Sequence, residues 1–114
     1  MIASTHKPSA AMPYRNAYNN LLNTKFTTSA TDFCNDFQRN LQNFRNAAAS
    51  LEAMNENSMK YGISEGMASI MFFQGTAHIS WLETWRATGA LEKDQQSFAP
   101  VEQMTATLRA VSGN

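Results

Sequence analysis

Apolar residues recur along this chain at spacings of three and four, the period of a helix that buries one face. The first such run is Tyr14, Ala17, Tyr18, Leu21 and Leu22, which predicts a short helix ending near Asn23. Lys25 to Thr28 reads as a connector. Ser29-Ala30-Thr31-Asp32 then resembles a capping box with Asp in place of the usual Glu, so the Ser29 hydroxyl can satisfy an orphan amide. Beyond it Phe33, Phe37, Leu41, Phe44, Ala48 and Leu51 form a heptad-like seam flanked by Gln, Asn and Arg. A strand's two-residue period would scatter these aromatics over both faces. The pattern predicts a long helix over about 29–61, weakening where Asn55, Asn57 and Ser58 compete for backbone bonds.

Gly62 offers a helix stop, and Ser64-Glu65 can open a new helix with a favourable charge in its first turn. The next helix is expected over about 64–88, interrupted only by Gly75 and ended by Gly89. Leu91 to Ala99 is polar and fits no period. Pro100 suits the first turn of a last helix through Val101, Met104, Leu108 and Val111. No segment alternates apolar and polar residues over the length a strand needs. The expected fold is all-α, a bundle in which two long helices pair antiparallel about Gly62, with short N- and C-terminal helices. Residues 1–12 read as a flexible polar tail and 13–114 as one helical domain.

The third helix carries too much apolar surface for one partner helix. Met67, Ile70, Ala77, Trp81 and Trp85 form one seam, and Met71, Phe72, Phe73, Ile79 and Leu82 spread to its sides. Three arrangements answer this: enclosure by the other helices, burial against another copy of the chain, or contact with an apolar surface or protein groove. Trp81 and Trp85 suit all three, because an indole has an apolar body and a polar N–H. The methionines divide in the same way, between gap-filling in a core and an adaptable binding surface.

Composition adds limits. The 114 residues suffice for one domain, and 43% hydrophobic content is enough to fold, while only 16% are charged. Nine basic and nine acidic residues cancel, so the basic excess that phosphate binding requires is missing and nucleic acid is not an expected partner. The single cysteine, Cys34, excludes an intrachain disulfide and fits a reducing, cytoplasmic setting. The N-terminus lacks the apolar run of a secretory signal, and the stretch Met67 to Leu82 is too short and too polar to span a membrane.

Candidate chemistry is sparse. His78 and Glu83 lie five residues apart, about 140° around a helix, so they share no ligand face, and no Glu-x-x-His occurs. Cys34 and His78 can act as nucleophile and base only if packing joins them, and Asp32 and Asp36 would raise the thiol pKa. Glu52, Glu56 and Glu65 sit near helix ends, where carboxylates are ordinarily solvated. No phosphate-binding glycine loop is present. No catalytic residues, metal ligands or cofactor are expected.

Leu51-Glu52-Ala53-Met54-Asn55-Glu56-Asn57, followed by Gly62-Ile63-Ser64-Glu65-Gly66, resembles the phasins, bacterial proteins that coat polyhydroxyalkanoate granules. The resemblance covers about residues 40–85 and rests on common helix formers. It implies a non-enzymatic, mainly helical and often oligomeric protein whose amphipathic face adsorbs to the polymer. That face would comprise Met67, Ile70, Met71, Phe72, Phe73, Ile79, Trp81, Leu82 and Trp85. The chain departs from the family in being rich in Asn, Met and Phe rather than Ala, Lys and Gln. The functional expectation is a non-catalytic protein that binds an apolar surface. The alternative is an oligomeric adaptor, chaperone or assembly subunit meeting a protein partner through the same helix, with Phe33, Phe37, Leu41, Phe44 and Leu51 as the pairing seam.

Overall fold

The computed structural model describes residues 11–54, 59–92 and 96–112, and within them the chain is mainly helical. The elements are α1 (Ala11–Leu22), α2 (Ala30–Ala53), α3 (Glu65–Gly75), a 3₁₀ turn (Ser80–Leu82), α4 (Glu83–Thr88) and α5 (Val101–Ser112). The all-α expectation holds. The expected tail lies, through residue 10, outside the described residues. Helix α1 begins two residues ahead of Pro13, which sits in the first turn where its missing N–H leaves no gap.

Helix α2 opens where the capping residues place it. Ser29 Oγ accepts from the Asp32 amide at 3.2 Å. The seam lies inside the chain: Phe33, Phe37, Leu41, Phe44 and Ala48 are buried, and Leu51 is half-buried. Its chief neighbour is α1, whose Tyr14 and Tyr18 rings lie 5.1 and 5.9 Å from Phe44. α2 ends at Ala53, not near 61, with Met54 as its cap. The 24 residues of α2 make it the single long helix among the described residues.

Beyond α2 the chain is fastened back by Glu52. Its Oε2 accepts from the amides of Tyr61 (2.7 Å) and Gly62 (3.1 Å), and the Tyr14 hydroxyl donates to the Tyr61 carbonyl at 2.9 Å. The amide of Tyr61 lowers the Glu52 pKa most, helped by the Gly62 amide and the Lys60 charge. A depressed carboxylate pKa stabilises the fold above the ordinary carboxylate range and ceases to do so as pH falls through and below it. Glu52→Gln should therefore flatten the acid side of a plot of thermal unfolding midpoint against pH. Equal falls in wild type and variant would remove Glu52 as a cause.

The expected 64–88 helix is corrected by the structure: it breaks after Gly75, and the two-long-helix hairpin does not form. A helix end leaves carbonyls without intrahelical donors, and at and just beyond this break several find donors nearby. The Gly75 carbonyl accepts from the Phe26 amide at 2.9 Å. Arg86 Nη1 donates to the carbonyls of Thr76 (2.6 Å) and Ile79 (2.7 Å). Thr76 Oγ1 donates to the Phe73 carbonyl at 2.8 Å. The chain turns and resumes as the 3₁₀ turn and α4, so Phe72 and Trp85 meet at 6.2 Å across the break.

The core draws on every helix, with α1 contributing Ala17 and Leu21 beside the buried residues of α2, α3, α4 and α5. Phe72 is its centre, with ring centroids of Phe33 at 4.9 Å and Phe37 at 5.0 Å. Phe26, placed by sequence in a mere connector, is fully buried. The polar stretch before Pro100 is held by an antiparallel bridge between Leu91 and Phe98, with the Ala99 amide donating to the Ala90 carbonyl at 2.9 Å. Among the described residues no helix is long and apolar enough to cross a membrane.

Candidate functional site

Helix α3 is apolar nearly all round, and its two sides meet different surroundings. Ser64 Oγ caps it by accepting from the Met67 amide at 3.1 Å. Ala68, Ser69, Phe72 and Gly75 then face inward and are buried. Gly66, Met67, Ile70, Phe73 and Gln74 fall on the opposite arc at helical spacing. That arc holds no charged residue, and Met67 is 48% exposed at its N-terminal end. Ile70 and Phe73 are half-buried. The Phe98 ring meets Phe73 edge-on at 5.2 Å and is itself 37% exposed. Met67, Ile70, Phe73 and Phe98 are the candidate site.

No family model matches the chain, nor does any curated protein or solved structure.

The nine residues grouped by sequence therefore divide. Phe72, Leu82 and Trp85 are buried in the chain's own core. Met71 and Ile79 are half-buried and pack against that core, as does the inner part of Phe73. Met67 and Trp81 are exposed, Trp81 to 59%. The Trp81 indole stands at the break with its ring 5.7 Å from Phe26, edge-on. Trp85 instead turns inward and donates from Nε1 to Thr107 Oγ1 at 2.9 Å. A continuous helix would have put both indoles on one stripe; the turn at residues 76–82 separates their environments.

Phe98 was not legible as a site residue. The available signal was a lone aromatic in a polar stretch two residues ahead of Pro100, and only tertiary packing sets it beside Phe73.

The chemistry-bearing residues have structural partners. His78 Nε2 donates to the Phe26 carbonyl at 2.7 Å, which requires the Nε2–H form and ties the break to the α1–α2 connector. Cys34 is buried, with Sγ 4.0 Å from the Thr105 carbonyl at the α2–α5 contact. Burial pushes its thiol pKa up, and the Arg109 guanidinium opposes this. The direction agrees with the sequence reading, whereas the cause is burial and not Asp32 or Asp36. A buried, protonated thiol is a poor nucleophile. Tyr14 is raised too, by burial and then by Tyr18, Tyr61 and Glu52. Among the described residues no group of three His, Cys, Asp or Glu side chains could hold a metal ion.

Proposed function

We propose that this is a non-catalytic helical interaction protein that docks an apolar surface of a protein partner on the outward face of α3. The observation that carries this is the uncharged arc of Met67, Ile70 and Phe73, extended by Phe98, on a helix whose other side is already buried. An uncharged apolar arc facing water is the signature of a contact surface. Thioether and aromatic side chains suit it, since both adapt to varied partners. At about 25 cal/mol per Å², some 300 Å² of apolar contact supplies roughly 7 kcal/mol before association costs.

A second reading, association with an apolar granule in the manner of the phasins, uses the same face together with Trp81. The exposed indole favours it, because an apolar body with a polar tip suits a boundary between water and an apolar phase. The shortness of α3 favours a protein partner: 11 residues span about 16 Å, a knob for a groove more than a carpet for a polymer.

Light scattering over a range of concentrations, alone and with dispersed apolar particles, tests both. Wild-type protein should self-associate or move onto the particles. Met67→Lys combined with Ile70→Lys should weaken either association more than tenfold while leaving helix content near wild type. Association unchanged in that variant, or a wild-type monomer indifferent to particles, would count against the face.

A further inference from the structure

The outward residues of α3 are spaced evenly about one position. Met67 and Phe73 stand three residues before and after Ile70, and Gly66 and Gln74 stand four before and after it. On a helix the first pair falls about 60° to either side of Ile70 and the second about 40°. A twofold axis through Ile70, perpendicular to the helix, therefore sets Met67 against Phe73 of a second copy, Gly66 against Gln74, and Ile70 against itself. The facing groups suit one another. A thioether meets an aromatic ring, two branched aliphatic chains meet at the axis, and the glutamine stem crosses a glycine. The space over Gly66 is open, since a Cβ there would meet nothing of its own chain nearer than Ser64 Oγ at 3.8 Å. Ile70 is half-buried and lies outside the buried core, so it is free to serve at the axis.

We propose that the occupant of the outward α3 face is a second copy of this chain, with the two α3 helices antiparallel about Ile70. This names the partner for the contact surface proposed above and rests on that reading. The arc carries no charge, so pairing it with itself opposes no like charges along its length. Orientation is set at the ends. Antiparallel packing keeps the two Glu65 carboxylates at opposite ends of an 11-residue helix, about 16 Å apart, whereas parallel packing brings them side by side. With about 300 Å² from each copy the pair buries roughly 600 Å², against about 1,200 Å² for stable interfaces, so the dimer is weak and dissociates on dilution.

Sedimentation equilibrium of the full chain from roughly 10 µM to about 1 mM tests this, with variants at the axis. Wild type should gain mass with concentration. Ile70→Lys and Ile70→Glu each set two like charges face to face, and each should weaken self-association at least tenfold. Mixed one to one, the two variants set an ammonium against a carboxylate, and the dimer should return and weaken again with added salt. Only a face that meets itself at position 70 gives this rescue. Unfolding midpoints verify that each variant folds, and Met67→Lys, at an exposed position, should weaken the dimer as well. Self-association unchanged in the folded variants, or no recovery on mixing, overturns the proposal. A wild type that stays monomeric overturns it too. If that monomer still moves onto dispersed apolar particles through Met67 and Ile70, the contact surface stands with another occupant; if it ignores them, both readings fail.

Discussion

Phe72→Ala is expected to cost about 3–5 kcal/mol, the range for deleting a fully buried phenylalanine side chain. Domains of this size are stable by only about 5–15 kcal/mol, so the variant should be marginal or unfolded at room temperature. The size of the effect follows from its neighbours. Phe72 has rings of Phe33, Phe37 and Trp85 within 4.9, 5.0 and 6.2 Å, and these come from α2 and α4. Truncation leaves a hole bounded by rings from α2 and α4, and such a hole cannot collapse without moving both. Urea unfolding of wild type and variant measures the loss directly. A loss under about 1 kcal/mol would mean that this ring is not enclosed as described.

Gly75→Ala is expected to destabilise by about 1–3 kcal/mol, against the direction that helix propensity alone would give. A Cβ at Gly75 would lie 2.8 Å from two ring carbons of Phe33 and 3.0 Å from the backbone oxygen of Thr24. Neither can yield easily. Phe33 is held by Phe26 and Phe72, and Thr24 is fixed by its hydroxyl, which donates to the Asn20 carbonyl at 2.8 Å and accepts from Asn40. Gly66 is the comparison. The nearest atom to a Cβ there is Ser64 Oγ at 3.8 Å, so Gly66→Ala has room and should gain up to about 1 kcal/mol from propensity. Opposite signs at the two glycines, read as shifts in unfolding midpoint, are the expected result. Stabilisation by Gly75→Ala would mean that the α1–α2 connector does not press on the end of α3.

Much of this architecture was legible in the residues. The cap at Ser29, the seam along α2 and the start of α5 after Pro100 are local matters: a hydroxyl reaching an amide three residues on, apolar side chains repeating at helical period, a proline tolerated in a first turn. Those features depend on neighbours in sequence, so the sequence displays them. The ends of α2 and α3 are not legible in this way because they depend on neighbours in space. Glu52 fastens a loop ten residues on through Gly62. The Phe26 amide takes a carbonyl of α3, and Arg86 takes two more beyond it.

The candidate surface shows the same division. Sequence alone determined that the stretch from Met67 to Trp85 has more apolar surface than one helix partner can cover, and that nine basic and nine acidic residues cancel. Both are counts over residues and their spacing. Only the tertiary structure decided which of those residues face inward. Phe72, Leu82 and Trp85 went to the core because the break after Gly75 folds α4 back toward α3. Met67 remained outside, and Phe98 joined Phe73 from a distant loop. Period shows that a helix has an apolar side; the carbonyls and rings that meet it from elsewhere in the chain determine how much of that side water still reaches.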